Sequence, residues 1–476
     1  MPINDFSHYQ LTWYPDKNKL TRPIYKSLLD QLKSAIERGI LTSGTKLPPQ
    51  RELADYLDIN FTTVTRTYKL SAQLGLTYGI HGKGTFVNSN GIDPLTANSP
   101  LTRTIDLGFV ASFEQTNHLL DNILSNTVKQ GASQLLTYDS PTGRPIDKEA
   151  SGHYLDWLGV RLTPTQHILI TAGGEKSLTL LLMTLFSSGD KIAVDEFTYA
   201  NLIATAQLNN LHLVAIKNDQ GGMNIEALKH ACQNNNLAGL YIMPEYSNPT
   251  GAVLSVARRK EIATIAQEYG LKIIEDDYLS FLSKLNPERP PKIMELLPDQ
   301  TCYVCSMSKV LASGLRVGYL VFPAQLAQQI KNGFFNTTVK TSTLNTAIAS
   351  MAIKEHVVQQ IIQNKVTLAK QANILFEQYF PTAPTNQLTD YAFFRRLPLK
   401  NVQNTAKVEQ ALANINIRCF GSDRFQINAS SNDHFLRVSL SANKSLDELE
   451  TGLKKLRKFL QKSNLIPKCQ FKLERK

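Results

Sequence analysis

The sequence predicts a multidomain chain: a small α+β unit of short helices and one hairpin, followed by a large α/β unit on a mainly parallel sheet. Three observations carry this. Residues 23–87 show helical periods that end in an alternating, glycine-turned run. A polar stretch without any period follows. From about 105 onward, short β-branched runs alternate with helical segments, the signature of a parallel sheet flanked by helices. The 476 residues suit two to four domains at roughly 150 residues each.

Composition narrows the class. Hydrophobic residues make up 42% and charged residues 19%, enough apolar material for a core and too little charge for wholesale disorder. No apolar run approaches the ~18 residues of a membrane span, and MPINDFSHYQ lacks the basic start and apolar stretch of a signal peptide, so a cytoplasmic protein with no membrane partner is expected. Five scattered cysteines do not form a disulfide framework. Cys302-x-x-Cys305 has no second pair with metal spacing, and i and i+3 in a strand point to opposite faces, so no metal is expected. The net charge of +11 permits a polyanion partner. Residues 454–476 hold 9 Lys/Arg against Glu474 alone, more excess charge than residues 1–90, with 11 against 7. By charge alone the tail would be the nucleic-acid site; the motifs point elsewhere.

In order along the chain, PIYKSLLDQLKSAIERGI (23–40) repeats Ile24, Leu28, Leu32, Ile36 and Ile40 at helical spacing, with Pro23 suited to a first helical position. In LPPQRELADYLDIN a helix from about Gln50 to Leu57 buries Leu53, Ala54 and Leu57. The turn Asp58-Ile59-Asn60 leads to a second helix, FTTVTRTYKLSAQL, with Asn60 as N-cap. Two short helices on a three-residue turn fit either a packing unit or a helix-turn-helix DNA reader. LTYGIHGKGTFV then reads as a hairpin about Gly82-Lys83-Gly84, which favours the reader. On LPPQRELADYL, TTVTRTY and GLTYGIHGKGTFV, residues 22–87 resemble the winged helix-turn-helix domain of GntR-type bacterial repressors. The resemblance implies a double-stranded DNA operator, with Arg51, Thr62, Thr63 and Arg66 facing DNA and Lys83 and Gly84 reaching the minor groove or backbone. Phe61 stands where the family usually has arginine. The DNA-binding domain is placed at 1–88. The linker is placed at 89–104, rich in Asn, Ser, Thr and Pro, and spans at most roughly 60 Å when extended.

In the remainder, 105–476, the strands HILITA (167–172), KIAVDE (191–196), LHLVAI (211–216), LAGLYIMP (237–244) and LKIIEDD (271–277) are expected. Ligands bind at the carboxyl ends of such strands. Four motifs lie there: AGGEKSL, whose Gly173 and Gly174 allow close backbone approach at a helix N-terminus; PEYSNPTG; IIEDDY, with carboxylates ending an apolar strand; and YVCSMSKVLASGLRVGYLVF, with a lysine between apolar stretches. Each alone also fits a turn or a strand exit. As an ordered set they resemble the fold-type I aminotransferases, whose cofactor is pyridoxal 5'-phosphate.

That resemblance implies that Lys309 is catalytic and forms the Schiff base, and that Asp276 pairs with the pyridine nitrogen. Asn248 and Tyr278 would bond the ring oxygen, and Tyr199 would stack on the ring. Gly174, Glu175 (through its backbone), Ser306, Ser308 and Arg316 would hold the phosphate. Tyr138 would reach the phosphate of a partner subunit in a homodimer, and Arg437 would clamp a substrate carboxylate. Lys176, Phe197 and the segment 390–397 depart from the family pattern, so the substrate side is expected to differ. The basic tail begins as a helix with Leu453, Leu456, Phe459 and Leu460 on one face. Both halves and their order resemble the MocR-type branch of GntR regulators. The expected function is a transcriptional regulator that senses pyridoxal phosphate or a small amino compound through aldimine chemistry. The alternative is a working aminotransferase carrying a DNA-binding domain.

Overall fold

The structure is a computed structural model and describes residues 11–37, 40–41, 45–73, 76–80, 84–87, 104–138, 140–286, 288, 290–381, 390–427 and 433–466. Lys83, nearly all of the 89–104 linker and the tail beyond 466 lie outside these residues.

In the N-terminal unit, α1 spans Ile24–Glu37, α2 Gln50–Leu57 and α3 Phe61–Gln73. Leu28, Leu32, Leu53, Leu57 and Val64 are fully buried in one cluster, each contributing about 1.5–3 kcal/mol by leaving water. Two expectations need correction. Ile40 lies outside α1 as described, Ile24–Glu37, and is 64% exposed rather than part of the buried stripe. The core also takes in Trp13, which precedes every predicted element. The turn between α2 and α3 forms as expected. Asp58 closes α2 in a left-handed conformation (φ 54°), and the Asn60 side chain accepts the Thr62 N–H at 2.8 Å. Strands β1 (Thr77–Ile80) and β2 (Gly84–Val87) pair antiparallel from Thr77 opposite Val87 to Ile80 opposite Gly84. Gly84 is therefore the first strand residue and not part of the turn, and its φ of +120° suits glycine.

The large unit is built on seven strands: β3 (Gln166–Thr171), β4 (Lys191–Asp195), β5 (His212–Ile216), β6 (Leu237–Ile242), β7 (Lys272–Asp277), β8 (Thr301–Ser306) and β9 (Gly318–Pro323). Their order is β3-β9-β8-β7-β6-β4-β5. Strand β9 runs antiparallel to both neighbours, and the other pairs are parallel. All five strands expected from the sequence are present, each within two residues of its predicted ends. Every residue of β8 and β9 is buried, as covering both faces of a sheet requires. Cys302 packs in the core on one face and Cys305 in the core on the other, so the pair cannot act as one site.

Beyond the sheet, Phe394–Pro398, Phe435–Ser439 and Phe420–Gly421 form a three-stranded antiparallel sheet that carries Arg437. Ile105–Asp106, the first element after the linker, pairs in parallel with Ile417–Arg418 beside it. Helices α4 (Gly174–Leu185), α5 (Val357–Tyr379) and α6 (Leu446–Lys462) bear on the site or its support. Leu449, Leu453, Leu456 and Leu460 form the buried stripe of α6, so the first part of the basic tail is a packed helix; Phe459 is only partly buried at its edge. No helix among the described residues is long and apolar enough to cross a membrane.

Candidate functional site

Strand alternation decides which acid of IIEDDY faces which way. Residues i and i+2 share a face of a strand. Glu275 and Asp277 lie together: Glu275 accepts the backbone N–H groups of Ile293 and Met294, and Asp277 accepts the Tyr303 hydroxyl and pairs with Lys292 at 2.6 Å. Asp276 turns the other way, into a cavity of about 290 Å³, and accepts the Tyr241 hydroxyl at 2.8 Å. None of the three exits into solvent. Burial pushes Asp276 up to about 7, with the Tyr241 hydrogen bond opposing.

The cavity lies where the sheet's parallel strands end, as in other open α/β sheets. Its lining unites Gly174, Glu175, Tyr199, Asn248, Asp276, Tyr278, Ser306, Ser308, Lys309, Arg316 and Arg437, from segments far apart in sequence. Because β9 is antiparallel, its beginning rather than its end reaches the site: Gly318 pairs with both Thr171 and Ser306. A Cβ on Gly318 would stand 2.9 Å from the Gly173 carbonyl carbon, and one on Gly173 would stand 2.8 Å from Arg316 Nη2. Glycine at both positions lets the Arg316 guanidinium lie against the start of α4. Arg316 donates to Ser308 Oγ at 3.0 Å. A helix start carries N–H groups without partners inside the helix, so Gly174, Ser306, Ser308 and Arg316 make an anion cradle.

At the other end, Lys309 Nζ donates to the Val110 carbonyl oxygen. Burial, then the neighbouring Arg437 and Arg316 cations, push Lys309 down to about 8. Arg437 donates to Asn248 Oδ1 and to the Gly108 carbonyl oxygen, both at 2.6 Å, and its Nε is buried with no hydrogen-bond partner among the described residues. Burial pushes Arg437 down to about 10. Tyr278 donates to the Tyr246 carbonyl at 2.7 Å, and Tyr199 donates to the Glu175 carboxylate, which also accepts Asn201 at 3.1 Å. The Glu175 side chain thus has its own task beside the backbone role expected for it.

Other expected residues lie elsewhere. Tyr138 is on the surface, 92% exposed, and does not line the cavity. The residues that depart from the family pattern do not themselves line the cavity. Lys176 reaches the Thr337 carbonyl at 3.4 Å, Phe197 packs edge-on against Phe435, and Arg395 and Arg396 of the 390–397 segment pair with Glu377 and Asp433; none of these four lines the cavity. The wall beside Arg437 comes instead from Phe109, Val110, Phe420, Arg424 and Phe425. Sequence reasoning missed these, and Tyr241. The only signals were the apolar run LGFVASF (107–113), directly after the linker, and the inward alternation of β6.

In the N-terminal unit, Thr62, Thr63 and Arg66 fall on one face of α3 by i,i+3 and i,i+4 spacing. Arg66 lies over the Tyr25 ring at 3.9 Å. Arg51 of α2 stands over the exposed Phe61 ring at 5.9 Å, so a guanidinium sits beside the position where arginine was expected.

Lys309, the buried Asp276 carboxylate, the Arg437 guanidinium and the cradle of Gly174, Ser306, Ser308 and Arg316 all line one cavity. Residues 111–456 match the family described as aminotransferase class I and II, and residues 24–87 match the gntR family of bacterial regulatory proteins. The chain belongs to the class I and II aminotransferase family and carries a gntR-type helix-turn-helix domain ahead of it. It is 33% identical over 466 residues to the HTH-type transcriptional regulator YdeF of Bacillus subtilis, covering 97% of this chain and 99% of that one. It is 27% identical to the HTH-type pyridoxine biosynthesis transcriptional regulator PdxR of Corynebacterium glutamicum, over 63% of this chain and 66% of the relative. Among solved structures, the multiple substrate aminotransferase of Thermococcus profundus shares the fold at a TM-score of 0.68 and 19% identity, covering 76% of this chain and 92% of that one.

The aminotransferase family implies pyridoxal phosphate, and the gntR-type domain implies DNA binding. The residues present fit the cofactor. The two glycines that admit Arg316 and the serine pair beside it suit its phosphate, and a lysine and a buried carboxylate in the same cavity suit its aldehyde and ring nitrogen.

Proposed function

We propose that the protein is a DNA-binding transcriptional regulator whose aminotransferase-like domain senses pyridoxal phosphate or a small amino compound. One observation carries this reading: Lys309 and Arg437 are both tied to the backbone of 108–110, which the strand Ile105–Asp106 joins to the linker. Lys309 Nζ would hold the cofactor covalently, Asp276 its ring nitrogen, Asn248 and Tyr278 its ring oxygen and Tyr199 its ring face. Gly174, Glu175, Ser306, Ser308 and Arg316 would hold its phosphate. When bound, pyridoxal phosphate supplies an aldehyde that condenses with amines and a ring that withdraws electrons.

A Lys309 committed to the cofactor releases the Val110 carbonyl. An amino compound whose carboxylate pairs with Arg437 displaces the Gly108 carbonyl, exchanging a neutral acceptor for a charged one about twice as strong. Cofactor on Lys309 would free the Val110 carbonyl, and a carboxylate on Arg437 would free the Gly108 carbonyl, in a segment joined to the linker through the strand Ile105–Asp106. A ligand that favours one arrangement of that segment shifts the population, and with it DNA affinity.

Arg51, Thr62, Thr63, Arg66, Lys83 and Gly84 would meet an operator, with phosphate contacts giving affinity and base edges giving sequence preference. A homodimer belongs to this reading: Tyr138 and Leu136, exposed side by side at 92% and 76%, are apolar surface suited to a second copy. Such a regulator works where the DNA is, in the cytoplasm, with domains at 1–88 and 105–476 joined by the linker.

The test mixes the full chain with pyridoxal phosphate and a panel of amino acids while absorbance, keto-acid release and DNA binding are followed together. A ligand-dependent change in DNA affinity with slow or no keto-acid release is expected. Sustained turnover at about 1–1000 per second, with DNA binding unchanged, would favour the aminotransferase reading, which the full set of Lys309, Asp276, Asn248 and Arg316 keeps in play.

A further inference from the structure

Lys365 is a fully buried lysine in the apolar stripe of α5, in line with Val358, Ile361, Ile362, Ala369 and Ala372. No ion pair reaches it among the described residues. A leucine or methionine would fill that stripe without the desolvation cost of an amine, so the amine has a task that packing does not supply. The task is visible in its hydrogen bonds. Lys365 Nζ donates to the carbonyl oxygens of Lys309 at 3.0 Å and Leu311 at 2.7 Å. Those carbonyls belong to the turn after β8. Within that turn the Leu311 N–H reaches back to the Met307 carbonyl at 2.9 Å, and the Met307 N–H goes to Val317 at 3.0 Å. A helix some fifty residues downstream thus receives the turn's remaining carbonyls, one of them the carbonyl of Lys309 itself.

We propose that Lys365 is a positioning residue for Lys309: by holding the carbonyls of 309 and 311 it fixes the backbone from which the Lys309 side chain reaches into the cavity. The charged groups facing Lys365 are Lys309 on the turn and Glu114 on the short helix Glu114–Leu120. Burial first, and the Lys309 cation second, push Lys365 down to about 7, with Glu114 opposing. An uncharged amine has two N–H donors, the number its two carbonyl partners accept. The function of this arrangement rests on the reading of Lys309 as the cofactor lysine; the arrangement itself does not.

The experiment is lysine-resolved trace acetylation of the full chain, freed of cofactor with hydroxylamine and dialysis. Acetic anhydride is the probe, and mass spectrometry reads each site across the neutral to alkaline range. Held in place, Lys309 lies among Arg437 and Arg316, with Glu114 and Glu175 opposing, and its labelling midpoint is near 8. In Lys365→Met the turn loosens, Lys309 leaves that cationic, buried setting, and its midpoint climbs toward the ordinary lysine value. At a fixed pH well below the midpoint this is a loss of about tenfold in free amine per unit of rise. Lys365→Gln keeps two N–H donors, one bond nearer the helix, and removes the charge, so its midpoint stays closer to wild type than that of Lys365→Met.

A lower melting temperature in Lys365→Met with the Lys309 midpoint unmoved would mean a merely structural lysine and overturn the proposal. A rise of equal size in both variants would assign the effect to charge and also overturn it. If Lys365→Met does not fold, Lys365→Leu takes its place and is read against Lys365→Gln in the same way: a midpoint raised more in Lys365→Leu than in Lys365→Gln supports positioning, and a midpoint unmoved in both refutes it. Failure of the wild type to turn yellow with pyridoxal phosphate sinks the cofactor reading and leaves the acetylation result standing.

Discussion

Arg437 donates through Nη2 to the carbonyl oxygen of Gly108 at 2.6 Å, a bond that closes 329 residues of sequence. Its partner in effect is the bond from Lys309 to Val110, two residues further along the same segment. The first prediction follows from this pair. Arg437→Ala should abolish the response of DNA binding to amino compounds while leaving ligand-free DNA binding intact. Hydrogen exchange of 104–113 in the wild type should speed up around Gly108 when an amino compound is added, because the Arg437 anchor is lost. Unchanged exchange in that segment, alongside a normal DNA response, would refute coupling through it.

Lys309 gives the second prediction. The purified protein should be yellow, and borohydride should fix a pyridoxyl group on Lys309, with Lys309→Ala losing both colour and label. Peptide mapping decides, since a label on another lysine disproves the assignment. Deprotonation at about 8 makes this amine a better nucleophile near neutral pH than an ordinary surface lysine.

Asp276 gives the third. Burial raises it from 3.8 to about 7, so between those values the folded, cofactor-free protein binds more protons than the unfolded chain. Its contribution to stability is complete below about 4 and is lost as pH climbs through 7. Buried Asp195 and Glu275, also raised to about 7, act in the same direction. Asp276→Asn should therefore make the cofactor-free protein more stable than wild type above pH 7, by about 1–4 kcal/mol at ~1.4 kcal/mol per pKa unit. It should also weaken retention of pyridoxal phosphate, whose ring nitrogen loses its anionic partner. Thermal unfolding against pH tests this, and identical pH slopes for the two proteins would contradict it.

The DNA interface gives the fourth. Arg66→Ala and Arg51→Ala should each weaken operator binding, by about 1–3 kcal/mol where a base contact is lost. Arg66→Ala also frees the Tyr25 ring it covers and Arg51→Ala uncovers Phe61, so circular dichroism should accompany the titrations. Affinity should fall steeply with salt as phosphate contacts release counterions. Deleting residues 1–88 should remove specific binding and leave the yellow colour. Specific binding that persisted after the deletion would move the DNA site to the basic tail.

Much of the site was legible before any coordinates. Lys309, Asp276, Asn248, Tyr278, Tyr199, Arg316 and Arg437 were all singled out in the chain and converge on one cavity. Asn248, Asp276, Tyr278 and Lys309 are legible because they lie at or just after the ends of parallel strands, which reach one edge of a sheet. The substrate wall was not. Lys176, Phe197 and 390–397 stand out as departures in a linear comparison, yet none of them lines the cavity; Phe394 lies behind Arg437 at 5.8 Å and Phe197 behind Phe420 and Phe425. Phe109, Val110 and Phe425, unremarkable in sequence, line the pocket.

The sequence by itself determined the two-domain order, the helix-turn-helix and its Asn60 cap, the five strands of the sheet and the chemistry-bearing residues. All of these depend on local periodicity and on short motifs whose parts lie within a few residues of one another. Only the tertiary structure decided which acid of IIEDDY enters the cavity, that β9 runs antiparallel and so presents Arg316 and Gly318 at the site, and that the segment after the linker clasps both Lys309 and Arg437. It also decided that a lysine in an apolar helical stripe serves the turn that carries Lys309. These contacts close loops of fifty to more than three hundred residues. No local pattern encodes such a pairing; it is selected by the burial of polar groups, each of which must find a hydrogen-bond partner somewhere in the completed fold.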